Sequence, residues 1–173
     1  VFGLGVKYGS HEALDRLMEA KERDYSKAIT LMISKKEDIE KYAYINESAR
    51  KLIDHFMPGM MTLVFKKKES VDSYMTNGKE TIGIRIPDSE YVLALLERVG
   101  PMLVTSANLS GRPNTTTTLE VLRQLDGRIA LVVDGKTTDN IASTVVDVTE
   151  NGIKILREGK ITKKDIEEVL KWK

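Results

Sequence analysis

The chain of 173 residues contains no cysteine, and its 27 lysine and arginine residues balance 26 aspartate and glutamate residues to a net charge of +1. Without cysteine there is no disulfide and no thiolate metal site, and the balanced charge provides no overall attraction for nucleic acid. No apolar run approaches the ~20 residues that span a bilayer. We therefore expect a cytoplasmic protein without membrane contact, in which residues 1–173 form one domain.

Hydrophobic periodicity predicts an alternation of helices and strands along the chain. Helices are predicted near 11–22, 47–56, 89–99, 118–125 and 163–171, and strands near 28–34, 60–67, 81–86, 102–106, 129–134, 144–148 and 153–157. Ser10 and Ser89 are expected to cap two helices, and Gly100 with Pro101 should end the third. That helix is predicted to turn four apolar residues inward, namely Val92, Leu95, Leu96 and Val99. The pattern predicts an α/β fold with an open, twisted, mixed sheet and flanking helices.

A lysine continues the apolar face of the first predicted helix. Leu14, Leu17 and Met18 set that face, and Lys21 occupies its next position. A cation there either extends to water or meets a buried anion. Further basic residues follow in 21–27, and their acidic neighbours leave open an alternative in which the whole cluster is a solvated surface.

The strand predicted from Thr81 to Pro87 alternates strictly between two kinds of residue. One face carries Ile82, Ile84 and Ile86, and the other carries Thr81, Gly83 and Arg85. Because glycine has no side chain, it opens a hollow between a hydroxyl and a guanidinium. Such a face suits a small ligand with a carboxylate, and the alternative is a surface strand with a solvated arginine.

Residues 103–111 join an apolar strand to a cluster of small polar side chains, Thr105 to Gly111. Small residues at a strand end leave room for a ligand, and their backbone N–H groups can form a nest for an anion. The alternative interpretation is an ordinary turn.

Together these segments resemble, in order and nearly end to end, the YrdC/Sua5 family of threonylcarbamoyl-AMP synthases. The matching segments are Val1–Gly5, Lys21-Glu22-Arg23, Pro58–Thr62, Thr81–Pro87, Thr105–Gly111, Ser143–Asp147 and Arg157-Glu158-Gly159. The chain departs from the family pattern at Asp24 and Met60, where prolines are usual. The resemblance also places a strand and a substrate-contacting threonine just before Val1, so we expect an N-terminally truncated sequence.

The resemblance implies a YrdC-like fold and a nucleotidyltransferase that condenses L-threonine, bicarbonate and ATP to threonylcarbamoyl-AMP and pyrophosphate, for the t6A modification of tRNA. The residues that it implies for ATP are Lys21, Arg23, Ser106, Ala107 through its backbone, Asn108 and Arg157. Those that it implies for L-threonine are Thr81, Arg85, Thr105 and Ser143. It implies Mg²⁺ bound through the ATP phosphates, with no protein metal ligand, and no residue stands out as a general base. Lys21, Arg23, Arg85, Ser106, Asn108, Ser143 and Arg157 are predicted to converge on one concave site.

Two other functions remain as alternatives. A double-stranded RNA-binding module of the same fold is disfavoured as the primary role by the balanced charge and the 6% of aromatic residues, although contact with RNA or tRNA and with other proteins of the t6A pathway is allowed. The related carbamoyl-transfer domain of hydrogenase maturation proteins accompanies cysteine-rich zinc modules, which this sequence lacks. A relaxed phosphate-loop pattern at Ala130–Thr137 is rejected because its first half is an apolar run rather than a glycine loop.

Overall fold

The computed structural model describes residues 1–135, 137, 140–150 and 152–171. In this part of the chain, one mixed sheet has the strand order β1-β5-β2-β4-β3-β6-β7. The strands are β1 (Gly3–Lys7), β2 (Thr30–Met32), β3 (Met61–Lys66), β4 (Thr81–Arg85), β5 (Met102–Ser106), β6 (Thr144–Asp147) and β7 (Lys154–Arg157). β2 pairs with β4, and β3 with β6, in parallel, whereas the other neighbours are antiparallel. The predicted α/β fold class is confirmed.

The five predicted helices are present within one residue of their expected ends. They are α1 (His11–Lys21), α2 (Glu47–Phe56), α3 (Glu90–Val99), α4 (Thr118–Leu125) and α5 (Lys163–Lys171), with 3₁₀ turns at Lys36–Lys41 and Ser73–Thr76. Ser10 and Ser89 accept hydrogen bonds from the amides of Ala13 and Val92, as predicted for N-caps. Gly100, at a φ of 83°, ends α3. In the described ranges, no helix has the length and apolar character needed to cross a membrane.

Three local predictions are wrong. Residues 129–134 form no strand, and Leu131 is 79% exposed. An apolar segment becomes a strand only where it can form hydrogen bonds to a neighbouring strand. The strand β1 was not predicted, since its glycine-rich sequence owes its extended form to pairing with β5. On α3, Leu93 and Leu96 face inward, whereas Val99 is 37% exposed.

One face of the sheet packs against helices and forms the main core. Leu31, Leu63 and Ile84 are fully buried there, together with side chains of α1, α2 and α5. The isoleucine face predicted for β4 therefore points into the core, as its alternation indicates. A second, smaller cluster around Val121 and Leu125 packs α4 against the end of β5.

The opposite face of the sheet, which we call the open face, carries the polar residues singled out by the sequence. Residues paired across neighbouring strands point to the same face, so the strand register defines its members. They include Gly3, Gly5, Thr30, Thr62, Val64, Thr81, Gly83, Arg85, Val104, Ser106, Val145 and Arg157, together with Lys7, Met32, Lys66, Met102, Asp147 and Lys154 at the ends of the strands. Among these, Thr62 alone is buried, and the others are half-buried or exposed. The predicted candidate residues on this face therefore lie where a ligand can reach them.

Candidate functional site

Lys21 lies at the end of α1 and is buried, with 1% of its surface exposed. Its ammonium Nζ donates hydrogen bonds to the carbonyl oxygens of Ser106 and Asn108. Burial, and then the nearby charges of Arg23 and Lys27, lower the pKa of Lys21 to about 8. The cation that continues an apolar helix face is therefore satisfied by two loop carbonyls, and it holds the end of β5 against α1.

Arg23 and Lys27 add positive charge beside Lys21. The Arg23 guanidinium donates from Nη2 to the carbonyl of Ala28 at 2.8 Å, and its Nε is buried without a hydrogen-bond partner in the described part of the chain. Lys27 Nζ lies 3.1 Å from Ser110 Oγ. Glu22, which could have neutralised the cluster, pairs instead with Arg128 at 2.8 Å. This lysine group, comprising Lys21, Arg23, Lys27, Ser106 and Asn108, keeps an excess of positive charge.

The loop that follows β5 does not offer the predicted nest of backbone donors. The amide of Ala107 donates to the carbonyl of Phe2 at 2.8 Å, and that of Asn108 donates to Ser106 at 3.0 Å. The amide of Leu109 donates to Gln124 Oε1, and that of Ser110 donates to the carbonyl of Lys21, both at 2.9 Å. These N–H groups donate to partners within the protein, and the expected backbone contact of Ala107 with phosphates stays a prediction. The positive charge at this end of the sheet is carried by side chains.

Asn108 is fixed in the same loop by its own amide group. Nδ2 donates to the carbonyls of Leu109 and Arg112, at 2.9 and 2.8 Å. Oδ1 is buried and has no hydrogen-bond partner among the described residues. An unpaired acceptor repels a phosphate oxygen and attracts a donor, so this atom suits a ribose hydroxyl or an amino group better than a phosphate.

Two arginines, Arg85 of β4 and Arg157 of β7, carry positive charge at the other end of the open face. Arg85 Nε donates to the carbonyl of Gly59 at 3.0 Å, while Arg157 donates from Nε and Nη2 to the carbonyl of Ser143 at 3.0 and 2.8 Å. Burial, and then the charge of Arg157, lower the pKa of Arg85. In the described part of the chain, neither guanidinium forms an ion pair with a carboxylate. This arginine group, comprising Arg85, Arg157, Thr62 and Ser143, therefore attracts an anion from outside the protein.

Glycines permit the close backbone approaches that hold both arginines. A Cβ on Gly59 would lie 2.5 Å from the carbonyl oxygen of Phe56, and the Gly59 carbonyl is the one that receives Arg85. A Cβ on Gly159 would lie 2.2 Å from the carbonyl oxygen of Ala142, next to Ser143. Both glycines belong to motifs found in the sequence, and their role is to bring backbone segments into contact.

Of the lysine group, Ser106 belongs to the open face by strand register, and it lies at the opposite end of the strands from Arg85 of the arginine group. Ser106 ends β5 and Arg85 ends β4, and these two strands run in opposite directions. Two strand spacings and four residues of strand separate the two residues by on the order of 15 Å in the plane of the sheet. The seven residues predicted to converge on one concave site therefore lie in two groups at opposite ends of the strands, and their joint use by one ligand set stays a prediction.

Several predicted residues lie apart from the groups assigned to them. Arg157, implied for ATP, lies in the arginine group with Ser143. Thr81, implied for L-threonine, is on the open face at the end of β4 opposite to Arg85. Thr105 pairs with Leu4 and points to the helix-covered face, so its side chain does not join either group.

Thr62 and Thr30 of the open face were not among the predicted site residues, and Lys27 was predicted only as part of the basic cluster 21–27. Thr62 Oγ1 lies 2.9 Å from Ser143 Oγ, Thr30 pairs with Gly83 in the middle of the face, and Lys27 contacts Ser110. Thr62 ends the matching segment Pro58–Thr62, and Lys27 follows the segment Lys21-Glu22-Arg23 by four residues. The signal for Thr30 was its place on the polar side of an otherwise apolar predicted strand.

The fold and the open face define an α/β protein whose sheet surface carries cationic and hydroxyl side chains. A profile of the Sua5/YciO/YrdC family, described as telomere recombination, matches residues 1–159, and the chain belongs to this family. The Bacillus subtilis threonylcarbamoyl-AMP synthase is 38% identical over 176 residues, which cover 98% of this chain and 50% of that protein.

Solved structures agree with this assignment. The structure of Pyrococcus abyssi Sua5 complexed with L-threonine matches with a TM-score of 0.94 at 36% identity, over 99% of this chain and 51% of that one. The structure of Escherichia coli YciO matches with a TM-score of 0.86 at 28% identity, over 95% of this chain and 81% of that one. The chain spans about half the length of the B. subtilis and P. abyssi proteins.

Proposed function

We propose that this chain is an L-threonylcarbamoyladenylate synthase, which condenses L-threonine, bicarbonate and ATP to threonylcarbamoyl-AMP and pyrophosphate for the t6A modification of tRNA. The observation that carries the proposal is the pair of guanidinium groups, Arg85 and Arg157, that share the open face without a carboxylate partner among the described residues. Family membership and the name of the B. subtilis relative support the same activity.

The arginine group is the proposed site of L-threonine and of its carbamate. Arg85 takes the amino-acid carboxylate, since a guanidinium presents paired donors to that group. The amine, after losing a proton, forms a C–N bond to the carbon of bicarbonate, and water leaves. The second carboxylate formed in this way is also an anion, and Arg157, whose charge acts on Arg85 across the open face, is the proposed cation for it.

The lysine group is the proposed site of the ATP phosphates. A carbamate oxygen attacks the α-phosphorus and forms a new P–O bond. The bond between the α-phosphorus and the oxygen that bridges it to the β-phosphorus breaks, and pyrophosphate leaves. Because both reactants are anions, the protein contributes chiefly positive charge and orientation. Arg23 and Lys27 supply exposed or half-buried donors, Ser106 supplies a hydroxyl, and Lys21 acts as a positioning residue because it is buried against the loop carbonyls.

The open face carries cations and hydroxyls rather than a set of carboxylates, and the described residues contain no cluster of metal-ligating side chains. Its donor set therefore fits a Mg²⁺ ion that is held by phosphate oxygens and water. Contact with tRNA, interaction with other proteins of the t6A pathway and a cytoplasmic location belong to the same proposal.

The test is pyrophosphate release from ATP by the purified protein, measured with and without L-threonine and bicarbonate. We expect release only when all three substrates are present, together with a product that contains both the amino acid and AMP. Release that ignores L-threonine, or no release by a folded protein, would contradict the proposal. Binding of double-stranded RNA without pyrophosphate release would favour the RNA-binding alternative.

A further inference from the structure

The loop that carries Arg23 and Lys27 joins α1 to β2, and hydrophobic packing does not hold it in place. Residues 24–28 are all exposed, and only Ile29, directly after them, is buried in the core. An exposed segment without buried side chains keeps one conformation only where hydrogen bonds fix it. The positions of two cations of the lysine group therefore depend on the polar contacts of this loop.

Hydrogen bonds within the loop fix its shape. The amide of Ser26 donates to Asp24 Oδ1 at 2.7 Å, and that of Lys27 donates to the Asp24 carbonyl at 3.1 Å. Arg23 closes the loop through its hydrogen bond to the carbonyl of Ala28. Asp24 stands where the family pattern has a proline, so hydrogen bonds rather than a proline ring restrain this turn. These bonds do not orient the loop relative to the rest of the protein.

Asp15 joins the loop to two other segments of the chain. Tyr25 Oη donates to Asp15 Oδ1 at 2.9 Å, and Tyr74 Oη donates to the same oxygen at 2.7 Å. We call these three residues the tyrosine clamp. Tyr25 belongs to the loop, Asp15 to α1 and Tyr74 to the 3₁₀ turn. Because the acceptor is a carboxylate, each of these hydrogen bonds is charge-assisted.

Both supports of the tyrosine clamp are packed into the core. Leu14 of α1 is fully buried, and Met75 of the 3₁₀ turn is 1% exposed. The ring of Tyr74 also stacks on the imidazole of His11, with centroids 4.1 Å apart and an angle of 15° between the planes. Since the two supports are fixed in this way, the hydrogen bond from the loop sets the position of the loop.

Two further observations agree with this arrangement. The hydrogen bond to Asp15 is the main cause that raises the pKa of Tyr25 to about 12, and it also raises the pKa of Tyr74. Asn77, directly after the 3₁₀ turn, donates from Nδ2 to the carbonyl of Lys27 at 3.0 Å. The 3₁₀ turn and the residue after it therefore lie against the loop at two points.

We propose that Asp15 is a positioning residue for the nucleotide, which acts through Tyr25 to hold Arg23 and Lys27 in place for the ATP phosphates. This inference rests on the proposed function. Asp15 itself touches no substrate in this role, because a carboxylate repels phosphate. The tyrosine clamp contributes to the affinity for ATP and not to that for L-threonine, whose proposed site lies at the opposite end of the strands.

Four variants test the tyrosine clamp in the full chain. Tyr25→Phe removes the hydrogen bond from the loop and keeps the ring, whereas Tyr74→Phe removes the other phenol and leaves the loop bonded. Asp15→Ala removes the shared acceptor, and Asp15→Asn keeps an acceptor oxygen without its charge. Tyr91→Phe is the matched control, since Tyr91 is 58% exposed on α3. Calorimetry measures binding of a non-hydrolysable ATP analogue with Mg²⁺, and pyrophosphate release gives kcat and the KM values for ATP and L-threonine.

We expect Tyr25→Phe and Asp15→Ala to weaken binding of the ATP analogue by about 3- to 10-fold. The KM for ATP should rise by a similar factor, while kcat and the KM for L-threonine stay within about twofold. Asp15→Asn should lose less than Asp15→Ala. Tyr74→Phe and Tyr91→Phe should bind the analogue as the unaltered protein does.

A double variant separates positioning from a general loss of structure. Tyr25→Phe combined with Asp15→Ala should bind the analogue no more weakly than Asp15→Ala alone, because both changes remove the same contact. Additive losses, or unchanged binding in Tyr25→Phe, would overturn the proposal. Equal losses for the ATP analogue and L-threonine, or no binding of the analogue by the unaltered protein, would overturn it as well.

Failure of the proposed function gives a different result. The unaltered protein would then bind the analogue and respond to the clamp variants as expected, but it would release no pyrophosphate with all three substrates present. Conversely, pyrophosphate release that depends on L-threonine, with the same KM for ATP in Tyr25→Phe and the unaltered protein, would overturn the role of Asp15 and leave the proposed function intact.

Discussion

Arg157 lies close enough to Arg85 for its charge to lower the pKa of the Arg85 guanidinium, although the two residues come from β7 and β4. Each is held by a backbone carbonyl, Arg85 by that of Gly59 and Arg157 by that of Ser143. Two like charges kept together by neutral acceptors are unfavourable unless an anion joins them. We therefore expect the pair to bind a carboxylate more tightly than a single surface arginine would.

Arg85→Lys should impair the use of L-threonine even though the charge is kept. A lysine cannot both donate to the Gly59 carbonyl and present a planar pair of donors to a carboxylate. We expect a loss of about 2–4 kcal/mol, or roughly 30- to 1,000-fold in kcat/KM for L-threonine, with a much smaller change in KM for ATP. Steady-state pyrophosphate release measures kcat/KM for L-threonine and KM for ATP. Arg98→Lys, on the exposed side of α3, is the control. Equal KM values for L-threonine in Arg85→Lys and the unaltered protein would remove Arg85 from the site.

The buried Lys21 predicts a stability that depends on pH. Its pKa falls from 10.5 in the unfolded chain to about 8 in the folded protein, so between these values the unfolded state binds more protons. The unaltered protein should consequently gain stability relative to Lys21→Met as the pH rises from about 8 to 10.5, with a slope of at most about 1.4 kcal/mol per pH unit. Urea unfolding at several pH values measures this difference. A difference that stays constant across the window would show that Lys21 does not titrate as the structure indicates.

Gly159→Ala should destabilise the protein and disturb the arginine group. The added Cβ would lie 2.2 Å from the carbonyl oxygen of Ala142, which is backbone and cannot rotate away. We expect a loss of about 1–3 kcal/mol in the free energy of unfolding, together with weaker L-threonine binding because Ser143 and Arg157 must move. Urea denaturation and calorimetry measure the two effects. Gly152→Ala, in open space, should show neither, and a Gly159→Ala protein as stable as this control would contradict the close approach.

The hydroxyl pair of Thr62 and Ser143 should behave as one coupled unit. Their oxygens lie 2.9 Å apart and both residues are buried, so removing either hydroxyl leaves the other without this partner. A double-mutant cycle of Thr62→Val and Ser143→Ala should give a coupling energy of about 0.5–1.5 kcal/mol in the free energy of unfolding. Strictly additive effects would mean that the bond does not form in solution.

Much of the local structure followed from the sequence. The helix ends were correct because capping serines, a terminating glycine and the 3.6-residue period act within a few residues of one another. The division of β4 into an isoleucine face and a Thr81–Gly83–Arg85 face followed from strict alternation. The same local rules failed at 129–134, where strand-forming residues have no ladder to join, and at β1, where pairing with β5 compensates for two glycines.

The sequence by itself determined the fold class, the family and most of the residue types that line the open face. Tertiary structure alone decided that Lys21 meets two carbonyls, that the amides after β5 are already used, and that the lysine and arginine groups lie at opposite ends of the strands. It also decided that Thr30 stands beside Gly83. The physical reason is range: capping and periodicity are properties of neighbouring residues, whereas hydrogen-bond partners and strand register depend on segments that are far apart in the chain.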